Sequence, residues 1–222
     1  RRHTRSFHVT GVQTCALPIF ARLLELTSAA RTQILGAAAR FPRLAAIAAT
    51  MADLGDLAAE FSGKILPDGS LTDEASVALG RLRRDTERQR KQIEHSLERF
   101  LRAHHEDGTL REDFITIRND RFVVPIVAGR ERRVDGVIHG SSGSGQSVFV
   151  EPLETVQLNN ELVRLREEEL REVHRILREW SSQLRQHAEE IRDSVRALGI
   201  LELLFIKAEF AADFGCTIPK LG

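Results

Sequence analysis

Tyrosine is absent from this chain of 222 residues, tryptophan and methionine occur once each, and aromatic residues make up only 5%. Trp180 falls on an apolar helical seam, so it reads as core and not as a platform for stacked bases. Charge of one sign is also missing. Lys plus Arg and Asp plus Glu both number 32, so any anion-binding surface must come from local segregation of charge. Long hydrophobic runs are lacking too: in the apolar stretch 21–61 the longest charge-free run, Leu44 to Ala52, spans nine residues, against roughly 20 for a membrane-spanning helix. With 42% hydrophobic residues, the chain has enough apolar surface to fold.

Cysteine is scarce as well, with Cys15 and Cys216 the pair present. Residues Val9-Thr10-Gly11-Val12-Gln13-Thr14-Cys15-Ala16-Leu17-Pro18-Ile19 resemble the in-frame translation of a common sequencing-adapter oligonucleotide. Residues 1–20 are therefore set aside as a foreign, disordered segment, and Arg1-Arg2 as no targeting signal. Cys216 is then left alone, which removes an internal disulfide and any cysteine-based metal site and fits a reducing cytoplasmic setting.

What is present is mostly helical pattern. Residues 21–70 read as part of a helical core, with a break at Phe41-Pro42 because proline is tolerated in a first helical turn and not inside a helix. Leu66-Pro67-Asp68-Gly69-Ser70 is turn chemistry, and Ser70 or Thr72 can cap the next helix. An outgoing helix is expected over 71–110, ending by Gly108, with Leu79, Leu82, Thr86, Gln89, Ile93, Leu97, Phe100 and His104 three or four residues apart. A returning helix over 153–197 carries the matching seam, with a polar weak point at Glu169, and a more apolar core helix follows over 198–222. At 1.5 Å per residue the two long helices would reach roughly 50 and 65 Å. Between them, in 111–152, the period shifts to a β pattern in Phe114–Arg118, Arg121–Ala128, Arg133–His139 and Ser147–Val150. Asn119-Asp120 suits a tight antiparallel turn, and Pro125 points to an edge strand or a bulge. The expected fold class is mainly α with a small antiparallel β insertion: a long lever-like helical hairpin plus a helical core.

The motifs argue against catalysis. Gly140-Ser141-Ser142-Gly143-Ser144-Gly145-Gln146-Ser147 has P-loop spacing but Gln146 stands where the lysine belongs, and strand-like Val148-Phe149-Val150 follows instead of a helix. It reads as a flexible or ligand-contacting loop. His104-His105-Glu106-Asp107 cannot converge on one ion, because consecutive helical side chains point about 100° apart. His139 stands isolated, and no catalytic set of carboxylates, Ser-His-Asp or H-E-x-x-H occurs. No catalytic, cofactor or metal residue is assigned. Basic residues do cluster. Eight Lys or Arg stand against four acids in 81–102, which reads as a solvated helix face. At the β insertion, Arg118, Arg121, Arg130, Arg132 and Arg133 lie near Ser141, Ser142, Ser144 and Gln146, the residue types that contact a phosphate backbone.

Three stretches together resemble the second bacterial subfamily of MutS-like proteins: Leu66–Ser76, Ile117–Pro125, and Gly136–Gly145 continuing through Ser147–Pro152 to Leu158-Asn159-Asn160-Glu161. The resemblance covers roughly residues 40–215 and implies a core, lever and clamp region. It implies a homodimeric protein whose ATPase domain, with ATP and Mg²⁺, lies outside this chain, as does a nuclease in an Smr domain. The partners it implies are DNA, as branched or recombination intermediates, or the ribosome and its rRNA. A coiled-coil spacer with a protein-docking β tip is the alternative reading.

Overall fold

A computed structural model describes the backbone of residues 4–217 and the side chains of residues 16–217. The chain divides into two compact units, residues 1–75 with 174–222, and residues 76–173. The fold is mainly α with one four-stranded antiparallel sheet, as the pattern of periods leads one to expect.

In the first unit α1 spans Thr4–Gly36, α2 Pro42–Ala48 and α3 Gly55–Phe61. Pro42 starts α2 at the expected break, where its missing N–H costs nothing. Helix α1 begins inside the segment 1–20 expected to be disordered, runs through Pro18 and buries Leu17. Helix α6, Ala188–Asp213, closes the unit. Its Ala197 and Leu201 pack with Ala48 and Met51 against Ile34, Leu35, Leu44 and Ile47. Trp180 is buried with its ring 5.1 Å from that of Phe61, a core role as read from the seam. Only the first half of α6 packs. From Glu202 to Phe210 every residue is exposed, although Leu203, Phe205, Ile206 and Phe210 are apolar.

In the second unit α4 spans Val77–Ala103, and α5, Leu153–Gln186, enters it as far as Val173. The N-cap of α4 is Ser76, not Ser70 or Thr72. Its Oγ accepts from the Leu79 N–H at 2.9 Å and donates to Glu172 at 2.7 Å, while Asp73 and Glu74 sit in a preceding 3₁₀ turn. Helix α5 is unbroken at Glu169, because the Glu169 carboxylate accepts from Arg83 of α4 at 2.8 Å. The interruption between α5 and α6 falls at His187 instead. Between the helices, Gln89 donates to the carbonyl of Leu158 at 2.8 Å.

Strands β1 (Thr116–Arg118), β2 (Arg121–Val127), β3 (Gly136–Ser141) and β4 (Ser147–Pro152) are ordered β1-β2-β4-β3. Asn119 and Asp120 both adopt positive φ, 51° and 62°, the backbone of a tight hairpin turn that matches the twist of its strands. β2 is an inner strand, contrary to the edge position that Pro125 suggested. The Pro125 carbonyl accepts from Arg111 N–H, on the side where only an isolated bridge, Leu110 with Ile126, continues the ladder beyond β1. The N–H that proline lacks faces that gap, so no ladder bond is forfeited.

One face of the sheet presents Phe122, Val124, Ile126 and Val150 to Ile93 and Leu97 of α4 and Leu162 of α5, all buried. Burying each such aliphatic side chain contributes about 2 kcal/mol. A sheet this small is stable because the hairpin completes its core.

Leu162→Ala is expected to lower the stability of this unit by about 3 kcal/mol, read as a shift in urea midpoint at constant slope. Gly136→Ala should also destabilise it, since a Cβ there would lie 2.5 Å from the carbonyl oxygen of Glu151 and 2.6 Å from Val150. Thermal melts of the two variants check both expectations. At the end of α4, His104 hydrogen-bonds Asp107 at 2.7 Å and, with Thr109 adding to it, holds the Asp107 carboxyl down at about 2 from 3.8. A depressed carboxylate stabilises the fold above pH 3.8 and loses that contribution as the pH falls through about 2. An NMR titration should find the Asp107 midpoint near 2 in the wild type and nearer 3.8 in His104→Ala.

Candidate nucleic-acid interface

The second face of the sheet carries the polar groups. By alternation Arg121 and Val123 of β2 and Phe149 and Glu151 of β4 share it. The side chain of Glu151 is only 2% exposed. A buried carboxylate must be paired or neutralised, and two partners meet it. Its Oε1 accepts from the Arg121 guanidinium at 3.0 Å, and its Oε2 lies 2.7 Å from His139 Nε2. Arg121 also donates to the Asn160 side chain of α5 at 2.7 Å. Next to it Asn159, fully buried, accepts from the Phe122 N–H at 3.0 Å and donates to the Phe122 carbonyl at 3.1 Å. The amide thus takes the place of a peptide unit from a neighbouring strand.

The five arginines singled out in the sequence therefore divide. Arg121 is tied into the network around Glu151. Arg130 donates to the carbonyls of Asp107 and Gly108 and fastens the chain beyond α4. Arg118 is exposed, with its guanidinium 4.3 Å over the Phe149 ring and one N–H toward the carbonyl of Ile117. Arg132 and Arg133, in a 3₁₀ turn over Glu131–Arg133, are exposed. Among the described residues neither guanidinium has an ion-pair or hydrogen-bond partner.

The Ser/Gly segment is a closed hairpin turn between β3 and β4. Ser142 N–H donates to Ser147 O at 2.8 Å, Gly145 N–H to Ser142 O at 2.9 Å, and Ser147 N–H to Ser142 Oγ at 3.1 Å. A register shift between Ile138 and Ser141, with Gly140 at φ 123°, bends β3 into it. Ser142 Oγ lies 3.3 Å from Ser144 Oγ, while Ser141 and Ser144 are exposed. The Gln146 side chain accepts from Arg111 at 2.9 Å. Strand β4 follows the loop, so no helix N-terminus is present to meet a nucleotide phosphate.

His139 is thus not isolated, a pairing that the local sequence pattern did not reveal. A signal existed: Glu151 ends the otherwise apolar run Val148-Phe149-Val150, and a carboxylate there requires a cationic partner. Arg111 carried no comparable signal. His104 and His105 bond to different aspartates, Asp107 and Asp113, and among the described residues no group of three or more His, Cys, Asp or Glu converges on a point. No helix among them is long and apolar enough to cross a membrane.

No family profile matches the chain. Its similarity to curated proteins is extensive. It is 35% identical over 182 residues to the endonuclease MutS2 of Pelotomaculum thermopropionicum and 36% identical over 182 residues to that of Thermomicrobium roseum, in both cases 82% of this chain and 23% of the relative. The endonuclease MutS2 of Finegoldia magna is 33% identical over 180 residues, again 23% of its length. A mainly helical fold with an inserted β module and this sequence likeness define a MutS-like protein. The chain is MutS2-like over most of its length, and it spans about a quarter of the length of the curated relatives it matches.

Removing the carboxylate should be costly. Glu151→Ala is expected to destabilise the fold by about 3 kcal/mol, since it strands Arg121 and His139. Asn159→Ala, which leaves two buried backbone groups of Phe122 unpaired, should cost about 2 kcal/mol. Denaturant titrations check both, and Glu151→Gln, which keeps the shape, should fall between wild type and Glu151→Ala.

Proposed function

We propose that this chain is the non-catalytic lever-and-clamp region of a MutS2-type protein, and that its β module grips the sugar-phosphate backbone of nucleic acid. The observation that carries the reading is the arginine left over once the fold is satisfied. Arg132 and Arg133 are exposed with no side-chain partner among the described residues, and Arg118 is exposed over the Phe149 ring, whereas Arg121 and Arg130 are held by acceptors of the fold. A cation without an internal partner supplies counterion-release affinity without a structural penalty. ATP hydrolysis with Mg²⁺, dimer formation and strand cleavage are assigned to parts of the parent protein outside this quarter of its relatives' length. In that parent the module would close on branched DNA, restraining recombination, or on the rRNA of a collided ribosome.

Binding to a fluorescent four-way DNA junction and to ribosomes, measured over a salt series, tests this reading. Replacing Arg118, Arg132 and Arg133 together by Ala should lower affinity about tenfold or more and flatten the log–log salt dependence by roughly 3, about 0.9 for each phosphate no longer neutralised. Unchanged binding would remove the tip from the account. A second reading, a spacer with a protein-docking tip, is favoured by Val137 and Ile138, 44% and 56% exposed on the edge strand β3. It requires salt-insensitive binding to a protein and no preference for either nucleic-acid probe.

A further inference from the structure

The charge run of α4 resolves, once the buried side of the helix is known, into a stripe of one sign. Leu79, Gln89, Ile93, Ser96 and Leu97 mark the buried side. On the opposite side Arg84, Arg88, Lys91, His95, Arg99 and Arg102 follow one another at steps of four, three, four, four and three residues, and all six are exposed. At 100° and 1.5 Å per residue they occupy about 80° of arc over about 27 Å. The acids of α4 flank this stripe, Asp85 on one side and Glu87, Glu94 and Glu98 on the other.

A solvated face looks different, and α5 supplies the comparison within the same unit. There Arg164 is held by Glu161 at 2.5 Å and Glu168 at 2.6 Å, and the pairing pushes its guanidinium further up and Glu161 down. Along the α4 stripe, Arg88 reaches Asp85 at 2.9 Å and Lys91 reaches Glu87 at 3.7 Å, with the two cations still 70% and 72% exposed. Pairs of this kind are worth only a few tenths of a kcal/mol and exchange readily for another anion. The guanidinium groups of Arg84, Arg99 and Arg102 have no hydrogen-bond or ion-pair partner among the described residues.

We infer that the outer face of α4 is a second nucleic-acid surface, distinct from the β tip, that binds the phosphate backbone of a duplex without reading its sequence. A polyanion is required to match five permanent cations spaced one or two helical turns apart, because a single small anion could engage only one or two of them. The stripe bears no exposed Phe, Tyr or Trp, since Phe100 packs against the core and His95 is its single ring. Single-strand binding relies on such platforms for base stacking. A duplex, which offers phosphates and keeps its bases stacked, fits the composition of this face.

The test is fluorescence anisotropy of the whole chain with a mixed-sequence 24-base-pair DNA duplex and its RNA counterpart, over a salt series. The quadruple variant Arg84→Glu, Lys91→Glu, Arg99→Glu, Arg102→Glu changes only solvent-facing positions, and circular dichroism reports whether it is folded. Affinity is expected to drop at least tenfold and the salt slope to flatten by about 4, while a Gln version of the same four positions shows a smaller loss. The DNA and RNA arms distinguish which duplex is preferred, and preference for either supports the inference. Unchanged duplex binding by the folded Glu variant, absence of duplex binding by the wild type at low salt, or equal variant-sensitive binding to vesicles rich in phosphatidylserine would overturn it. The tip variant run alongside separates the two claims. Loss only in the tip variant leaves the proposed function standing and the stripe refuted, and loss only in the stripe variant does the reverse.

Discussion

The second unit depends on how its chain passes from sheet to helix without a linker. β4 ends at Pro152 and α5 begins at Leu153, so the strand that pairs with β2 departs while β2 still has backbone groups to satisfy. A buried N–H or carbonyl left open there would cost as much as a lost hydrogen bond. Asn159, two turns into α5, meets both groups of Phe122. One residue before the junction, Glu151 draws Arg121 and His139 together on the face of the sheet away from the apolar core, and Thr155 donates a hydrogen bond to the carbonyl of Pro152. The sheet and the helix are thereby fixed to one another by groups that can form only in this arrangement, and the apolar core of Ile93, Leu97 and Leu162 fills in beneath them.

That constraint sorts the cations. An arginine near a buried carboxylate or a row of open carbonyls is used by the fold, and Arg83, Arg121 and Arg130 are of this kind. Replacing one of them would disturb stability before it disturbed any binding. Arg118, Arg132 and Arg133 at the module and the outer row on α4 lie beyond the reach of these internal anions. Composition hides the distinction, since the chain as a whole is neutral. Only the position of each guanidinium relative to a buried acceptor reveals which charge is available to a partner.

The outgoing helix, the four strands and the Asn119-Asp120 turn were legible in the sequence because each rests on a local rule, period or turn chemistry, whereas the start of α1 and the break at His187 were not. What escaped it was non-local. The capping role fell to Ser76 because Glu172, 96 residues away, orients its hydroxyl. Glu169 looked like a flaw in the returning helix because its partner Arg83 is 86 residues distant. Pro125 pointed to an edge by a rule that holds for full ladders and was relaxed here by a gap opposite one residue. His139 looked isolated for the same reason, its carboxylate lying on the next strand. At the candidate site the residue types were legible, and their division into structural and available arginines was not.

The two cationic surfaces proposed above lie on one compact unit, and if both bind nucleic acid their pairing would make the protein both mobile and retentive there. Exposed arginines each exchange phosphate for solvent ions at little cost, so neither surface alone need hold for long. Both belong to residues 76–173 and share one core, so engagement of one raises the effective concentration of the other at any backbone within its reach. Under that proposal release would require both to let go, and the salt dependences would add. The fold needs no base-specific contact for this, which agrees with a surface poor in aromatic side chains. Selectivity for a junction or a ribosome over plain duplex would come from the shape that lets both surfaces reach phosphate at once.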